Sequence, residues 1–344
     1  MKTKAVYLTK IGRVEILEDE VVPLAPGQAL IKVMSSGICG SDLHYFTHGG
    51  LGSFLENLPM PLGHEPSGIV LEVNNIPWLQ VGDRVAIEPA SHCGYCKMCQ
   101  RGKLNLCLNG TFLGARGFPG AMRELINVNE NQVVKLNDNI SFDEGALLEP
   151  LGVAFHAINR SSLRFGETVA ILGAGPIGLS LLNLVKSMGC QQIVVIDPLD
   201  YRLAMAQNLG ADIVIRSDNE VADRIRELTN GELCDVVYDA AGKPQSILDA
   251  ISLVSPAGRV VLVGIPTYDF LEFNPHKLRI KEVDIISVRR SNNTLHQCIK
   301  HQSCSPWKAN IISHKYLLDN CQEAFETAAN YADHVHKSML NPYA

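Results

Sequence analysis

The residues from Glu167 to Asp197 constrain the fold of this 344-residue chain more than any other stretch. A short β-rich run leads into the sequence GAGPIG at residues 173–178, and a helical pattern then extends to about Met188. A second apolar strand follows and ends at Asp197. Strand, glycine-rich turn, helix, strand and acidic residue, in this order, are typical of a βαβ unit that binds a dinucleotide.

The glycines of this turn meet three separate steric requirements. Gly173 allows the tight turn, Gly175 lets the backbone approach a pyrophosphate, and Gly178 lets the helix pack closely on the strand. Free N–H groups and the dipole at the helix start favour phosphate charge. The alternative is a glycine-rich turn in an ordinary α/β domain. We predict that the cofactor is bound by the turn residues Gly173, Gly175, Pro176, Ile177 and Gly178.

Asp197 and Arg202, which follow the turn in the chain, help to predict which cofactor is bound. Asp197 can accept hydrogen bonds from both ribose hydroxyls and would repel a 2′-phosphate, which predicts NAD rather than NADP. Arg202 lies five residues further on and could face the adenosine end of the cofactor. A solvated position on a helix is the alternative for Arg202.

Composition indicates a soluble globular protein, with 46% hydrophobic and 19% charged residues. The length predicts two domains. A net charge of −6 gives no electrostatic reason to expect nucleic acid or an anionic membrane surface as a partner. No apolar run reaches the roughly 18 residues of a membrane span, and the N-terminus has no signal-peptide pattern. We therefore expect a cytoplasmic protein.

Ten cysteines are many for a cytosolic chain, where they indicate metal binding or catalysis more than disulfides. Four of them have the spacing C-x₂-C-x₂-C-x₇-C, namely Cys93, Cys96, Cys99 and Cys107. Four thiolates in one loop predict a closed tetrahedral zinc site with a structural role. An iron–sulfur cluster is the alternative, which the seven-residue gap and the absence of a following proline disfavour.

A second metal site is suggested by Cys39 and by the pair His64 and Glu65. One sulfur, one nitrogen and one oxygen ligand on separate loops would suit Zn²⁺ with an open coordination position. A buried cysteine and a histidine paired with its neighbouring glutamate are the alternative. Glu149 lies among apolar residues, where a carboxylate needs a cation or a donor, so it could reach the metal or face solvent.

The hydrophobic pattern changes along the chain. Residues 1–90 contain short strands separated by turns, which suggests a partly closed β-barrel. Strands and helices alternate from about Val153 to Asp284, and the last strand of this series ends at Gly264. This pattern predicts a parallel sheet covered by helices on both faces. Helical pieces near residues 294–301 and 320–331 suggest a return to the first domain.

With these residues assembled, the chain resembles the zinc-dependent medium-chain dehydrogenases, and among them the polyol branch of sorbitol and xylitol dehydrogenases. The resemblance covers nearly the whole chain and is most specific at residues 39–45, 61–68, 82–89, 145–151 and 173–178. It implies an α/β architecture in which a GroES-like β-barrel catalytic domain (residues 1–152 and 285–344) carries an inserted Rossmann NAD-binding domain (residues 153–284). It also implies a homo-oligomer, a tetramer or a dimer.

The resemblance also implies residue roles. Cys39 and His64 match catalytic zinc ligands. Glu65 and Glu149 match the two carboxylates that complete the site, one directly and one through water or in exchange, and which is which stays open. Ser41 and His44 match a proton relay that serves the oxidation of a secondary hydroxyl by NAD⁺.

Two features depart from that branch. The cysteine loop, which sorbitol dehydrogenases of animals have lost, is complete here. The substrate segment reads Val288-Arg289-Arg290, where that branch has an aromatic residue, arginine and tyrosine. Arg289 falls on the substrate-binding arginine, and Arg290 adds a second cation. The pair could recognise a carboxylate or a phosphate, because guanidinium groups suit such anions. A surface position is the alternative for Arg290.

These observations predict an NAD- and zinc-dependent dehydrogenase with two zinc ions per chain, acting on a small-molecule polyol or sugar alcohol. An L-threonine 3-dehydrogenase-type enzyme shares the cysteine loop and the pair His64 and Glu65, and is the nearest rival. A catalytically silent NAD-binding protein on the same fold is a rival from another class. It is disfavoured, as is a zinc-free quinone reductase, by the joint presence of Cys39, Ser41, His44, His64 and Glu65.

Overall fold

A computed structural model describes residues 1–115, 117–304 and 311–343 of the chain. The chain divides into two compact units. The first unit combines Met1–Gly152 with Asn292–Ala344, and the second unit is Val153–Ser291. Within the described ranges, no helix has both the length and the apolar character needed to cross a bilayer.

The N-terminal part of the first unit is built mainly from short strands. Its elements are β1 (Lys2–Lys10), β2 (Arg13–Glu20), β3 (Gln28–Gly37), α1 (Gly40–His48), β4 (Gly50–Leu51), β5 (Phe54–Leu55), β6 (Met60–Pro61), β7 (Glu65–Asn74), β8 (Arg84–Ile87), α2 (Lys97–Gln100), β9 (Leu125–Asn129), β10 (Val133–Lys135), α3 (Phe142–Ala146) and α4 (Leu148–Ser161). The helix α4 begins in this unit and ends in the second. The short strands predicted within residues 1–90 are confirmed.

The second unit alternates strands and helices. Its elements are β11 (Thr168–Leu172), α5 (Pro176–Lys186), β12 (Gln192–Asp197), α6 (Asp200–Leu209), β13 (Ile213–Arg216), α7 (Val221–Leu228), β14 (Cys234–Asp239), α8 (Pro244–Leu253), β15 (Val254–Leu262), α9 (Pro275–Lys281) and β16 (Asp284–Ser287). The strands form one parallel sheet in the order β13-β12-β11-β14-β15-β16. The predicted parallel sheet is confirmed.

One detail of that prediction was wrong. The sheet does not end with the strand before Gly264, because β16 follows and pairs with β15 in parallel. Three of the four β16 residues are exposed, so this strand lacks the buried apolar run by which the other strands were recognised. The second unit accordingly extends to Ser291, whereas the sequence placed the boundary after Asp284.

The register of the central strands places the carboxyl ends of β11, β12 and β14 side by side. Leu172 at the end of β11 pairs with Ile196 on one side and with Asp239 on the other. The residues that follow Leu172 and Ile196 are the glycine turn and Asp197. Ligands bind at this edge of such sheets.

The C-terminal segment returns to the first unit and completes its larger sheet. Its elements are α10 (Leu295–Cys304), β17 (Ile312–Leu317), α11 (Cys321–Ala329) and β18 (Lys337–Asn341). The strand β18 pairs with β3 in antiparallel and with β17 in parallel, in a sheet of order β10-β8-β7-β3-β18-β17. The two helices were predicted and the two strands were not.

A core of the first unit is shared by residues that are distant in sequence. The side chain of Phe325 in α11 is fully buried, and its ring centroid lies 5.4 Å from that of Phe46 in α1. Val6 of β1 and Leu340 of β18 belong to the same buried cluster. The return segment therefore contributes to the hydrophobic core and does not merely cover it.

Replacing Phe325 by alanine is expected to lower the free energy of unfolding of the first unit by about 3–5 kcal/mol, because a buried ring is lost and leaves a cavity. Denaturant unfolding measures the change. Phe54→Ala is the control, since the Phe54 side chain is 76% exposed. Equal stability losses in the two variants would contradict this description of the core.

Candidate active site

Cys39, His64 and Glu65 come together because β3 and β7 are paired. Gly37, the last residue of β3, lies opposite Glu65, the first residue of β7. Cys39 follows as the N-cap of α1. One potential ligand atom from each of Cys39, His64 and Glu65 lies within 4.8 Å of the others. The trio that the spacing only suggested is thus an assembled group of sulfur, nitrogen and oxygen donors.

Asp42 orients two members of this trio. One of its carboxylate oxygens accepts a hydrogen bond of 2.9 Å from the Cys39 amide. The other lies 3.5 Å from Nδ1 of His64, and Asp42 is fully buried. A carboxylate on one ring nitrogen leaves Nε2 as the atom available to a metal. Asp42 lies within residues 39–45, where the family resemblance is most specific, but it was assigned no role from the sequence, although its position three residues after the helix cap was a usable signal.

Glu149, the second residue of α4, is buried close to this trio. Its pKa is raised to about 8, chiefly by burial and also by the negative charges of Glu65 and Glu88, while His64 opposes the rise. The group of potential ligands found among the described residues contains Glu65 and does not contain Glu149. The geometry therefore favours Glu65 as the direct ligand of an ion and leaves Glu149 as a neighbour.

The electrostatics of the trio suit a divalent cation. Burial lowers the pKa of His64, but the adjacent Asp42 and Cys39 outweigh it and hold that pKa well above its usual value. Positive charge on His64 and a proton on Glu149 would both offset the buried negative charge of this site. A cation would do the same, and the mixture of sulfur, nitrogen and oxygen donors is one that zinc accepts.

Lys337 is a further charged residue at this site that sequence reasoning missed. Its ammonium group is buried, forms an ion pair with Oε2 of Glu65 and donates a hydrogen bond of 2.9 Å to the carbonyl of Ile38. It lies 272 residues from Glu65 in the chain. Because no local pattern connects residues so far apart, the sequence offered no signal.

Ser41 and His44 lie on α1, directly after the Cys39 cap. They are three residues apart and therefore share one face of the helix. Ser41 is buried, and His44 is partly exposed. A buried hydroxyl followed by a solvent-reachable imidazole is the order that a proton relay requires, and the relay itself stays a prediction.

The four clustered cysteines form a compact second site. Their sulfur atoms lie 3.5 to 4.0 Å apart in the Cys93–Cys99, Cys96–Cys99, Cys96–Cys107 and Cys93–Cys107 pairs. A tetrahedral zinc ion with Zn–S bonds of about 2.3 Å requires sulfur atoms about 3.8 Å apart. Backbone N–H groups of Cys99 and Leu108 lower the pKa of Cys96 to about 6, which favours the thiolate. The sulfurs are therefore arranged as a zinc site needs them.

The glycine turn has the geometry that its sequence predicts. Gly173 has a φ of 101°, in the left-handed region. A Cβ on Gly178 would overlap the Gly173 carbonyl oxygen, so α5 packs as closely as predicted. The helix begins at Pro176 with Gly175 as its N-cap.

Asp197 and Arg202 lie beside this turn. One oxygen of the buried Asp197 accepts a 2.7 Å hydrogen bond from the Ala174 amide, and the other accepts one of 2.9 Å from the Leu199 amide. An Nη atom of Arg202 lies 3.9 Å from the Asp197 carboxylate. A carboxylate has about four acceptor positions, so these two bonds do not use up its capacity to accept hydrogen bonds from ribose hydroxyls.

Arg289 and Arg290 follow β16, and a hydrogen bond from the Val288 amide to the Leu262 carbonyl holds the start of this segment against β15. Arg290 has a φ of 57°, which is uncommon for a residue other than glycine. Both arginines thus lie beyond the carboxyl end of an edge strand. Their role in substrate binding stays a prediction.

Comparison with known proteins identifies the family. Residues 25–138 match the alcohol dehydrogenase GroES-like domain, and residues 176–302 match the zinc-binding dehydrogenase domain. The sorbitol dehydrogenase of Bacillus subtilis is 33% identical over 99% of this chain and 97% of its own. The L-idonate 5-dehydrogenase of Vitis vinifera is 33% identical over 98% of this chain and 94% of its own.

Solved structures agree with this assignment. The crystal structure of galactitol-1-phosphate dehydrogenase from Escherichia coli superposes with a TM-score of 0.88 at 26% identity, over 98% of this chain and 100% of that one. A GroES-like domain and a Rossmann-type domain with a parallel sheet make up the fold. The chain belongs to the zinc-dependent medium-chain dehydrogenase family, within its polyol branch.

Proposed function

We propose that this protein uses zinc and NAD⁺ to oxidise a secondary hydroxyl of a polyol or sugar alcohol to a ketone. The observation that carries the proposal is the trio of Cys39, His64 and Glu65, whose ligand atoms lie within 4.8 Å of one another. The first unit is then the catalytic zinc domain, and the second unit binds NAD. The sorbitol dehydrogenase relative supports the polyol as substrate class.

In this proposal Cys39, His64 and Glu65 hold the catalytic zinc, and Glu149 exchanges with a ligand or acts through water. Zinc supplies a Lewis acid that lowers the pKa of a hydroxyl group bound to it. Cys93, Cys96, Cys99 and Cys107 hold a second zinc with a structural role. NAD⁺ supplies the hydride acceptor, and the protein orients it.

Two residues of α1 transfer the proton that the oxidation releases. The hydroxyl of Ser41 accepts it from the substrate, and His44, one helical turn further, passes it outward. Imidazole suits this step because its ordinary pKa lies near physiological pH. Asp42 keeps His64 oriented while this occurs, through its contact with Nδ1.

The cellular setting and the assembly state belong to the same proposal. Thiolate ligands must be reduced, so a four-cysteine zinc site is consistent with the cytoplasm. The family resemblance supports a homo-oligomer, with a tetramer as the first expectation and a dimer as the second.

An anionic polyol is a second candidate substrate. Arg289 and Arg290 present two guanidinium groups in sequence, a combination that suits a carboxylate or phosphate. The relatives named above include enzymes named for L-idonate and for galactitol-1-phosphate, one an acid and one a phosphate ester. This candidate keeps the reaction and changes only the substrate class.

A screen of NAD⁺ reduction tests the proposal. It covers sorbitol, xylitol, galactitol, cyclitols, their phosphates, sugar acids and L-threonine, each with and without a chelator. Chelator-sensitive turnover of neutral polyols is the expected result. Turnover restricted to acids or phosphates would select the second candidate, and turnover of L-threonine alone would select the threonine-type rival. No turnover by a protein that binds two zinc ions would contradict the proposed substrates.

The two zinc ions are expected to leave in a fixed order on chelation. The catalytic zinc has an open coordination position and should go first, together with activity, whereas four thiolates should retain the second ion longer. Zinc content and NADH formation, followed together over time, measure this order. His64→Asn should lack the early phase of release and Cys96→Ser the late phase. Earlier loss of the cysteine-bound ion would contradict the assignment of the two sites.

Asp197→Asn is expected to raise the ratio of kcat/KM for NADP⁺ to that for NAD⁺ at least about tenfold, which corresponds to about 1.4 kcal/mol. A carboxylate about 4 Å from a phosphate charge costs on the order of 4 kcal/mol at an effective dielectric constant of 20, and the amide removes that charge. Steady-state kinetics with both cofactors measure the ratio. Asp200→Asn is the control, because Asp200 is exposed and pairs with Arg216. An unchanged ratio would show that Asp197 does not face the 2′ position.

For the anionic candidate, Arg290→Ala is expected to lower kcat/KM for a polyol phosphate at least about tenfold and to leave the neutral polyol unchanged. A hydrogen bond between charged groups contributes about 1.5–3 kcal/mol, which sets this magnitude. Arg279→Ala, in α9, is the matched control. Equal rates on the neutral and anionic substrates, unaffected by the substitution, would remove this candidate.

A further inference from the structure

The ion pair between Lys337 and Glu65 lies in the interior of the first unit. The side chains of both residues are 1% exposed. Burying an ammonium group costs several kcal/mol unless it is paired and hydrogen-bonded, and Lys337 meets both conditions through Glu65 and the Ile38 carbonyl. An apolar pair of similar volume would often serve stability as well or better, so a buried pair invites a functional explanation.

The backbone next to this pair is that of a glycine, Gly37, where a side chain would collide with both partners. A Cβ placed on Gly37 would overlap Oε2 of Glu65 and would lie 2.8 Å from Cε of Lys337. Gly37 pairs with Glu65 of β7 on one side and with Met339 of β18 on the other. The absence of a side chain on Gly37, at the end of β3, therefore allows Lys337 to contact the Glu65 carboxylate.

The position of the ammonium group limits what Glu65 can offer to an ion. Oε2 of Glu65 is engaged by Lys337, while one Glu65 oxygen belongs to the ligand group with Cys39 and His64. A carboxylate with one oxygen held by a cation binds a metal through the other. Groups that hydrogen-bond to metal ligands in this way typically change metal affinity or activity 10- to 100-fold when they are removed.

We propose that Lys337 is a positioning residue of the metal centre, which holds Glu65 so that one carboxylate oxygen faces the ion, and that Gly37 makes this contact possible. The inference rests on the proposed function at one point, that Cys39, His64 and Glu65 bind zinc. A purely structural role, in which the pair only joins β18 to the rest of the sheet, is the competing explanation.

The test compares zinc binding at the two sites of each variant by competition with a chelator. Lys337→Met is expected to weaken the binding of the Cys39-site zinc 10- to 100-fold. The cysteine-bound zinc of the same molecule is the internal reference and should be unchanged. Lys337→Arg should restore at least part of the affinity. Gly37→Ala, which changes no charge, should weaken the same site by crowding Glu65 and Lys337.

Lys315→Met is the matched control, because Lys315 lies on β17 and pairs with Asp143 at 2.5 Å, with its side chain 60% exposed. It should leave zinc binding unchanged. A double-mutant cycle completes the design: if Lys337 acts through Glu65, adding Lys337→Met to Glu65→Gln should change affinity less than about twofold.

The possible outcomes separate the two explanations. Wild-type zinc affinity in a folded Lys337→Met, or additive effects in the cycle, would overturn the inference. If Lys337→Met does not fold, a folded Gly37→Ala with wild-type zinc affinity would overturn it as well. Absence of zinc at the Cys39 site in the unmodified protein would refute the proposed function itself. Zinc that is bound there with an affinity unaffected by substitution of Lys337 would refute only the present inference.

Discussion

The candidate site depends on the pairing of β3 with β7, which places Gly37 opposite Glu65. That register brings the Cys39 cap at the end of one strand to His64 and Glu65 at the start of the other. It also gathers buried acidic groups, among them Asp42 and Glu149, whose ionised forms carry negative charge. Such charge is expensive away from water unless it is offset. Lys337 offsets part of it and a bound cation would offset more, so the strand pairing and the metal site support each other.

The parts of the molecule that the sequence predicted well are those in which cause and effect are close along the chain. The βαβ unit from Glu167 to Asp197 is contiguous, and each glycine in it answers a local steric requirement. The four clustered cysteines lie within residues 93–107, so their spacing was enough to predict that they form one site. Similarly, β11, β12 and β14 are buried along nearly their whole length, and strands buried in this way have nearly continuous apolar runs that are visible in the sequence.

The parts that the sequence could not predict depend on contacts between distant residues or on exposed strands. From the sequence Glu65 and Glu149 were equal candidates as ligands, whereas the pairing of β3 and β7 places Glu65 in the ligand group found with Cys39 and His64 among the described residues. The strand β16 is largely exposed and β17 alternates between exposed and partly buried residues, so neither shows a run of buried apolar residues. Lys337 resembled an ordinary charged residue near the C-terminus, because its role is defined by a carboxylate 272 residues away.

For a similar reason, the type of reaction is easier to predict from the sequence than the identity of the substrate. Polarising a hydroxyl, moving its proton and accepting a hydride require particular donors at particular separations, and those donors are recognisable in Cys39, His64, Glu65 and the glycine turn. Choosing between a neutral polyol and an anionic one requires only that one or two cations stand near the remote end of the substrate. In the second candidate function, Arg290, which stands where the resembled branch has a tyrosine, would change that balance without altering the metal centre or the turn. A family can therefore retain its chemistry while its substrates diverge, because the residues that select the substrate are separate from those that hold the zinc.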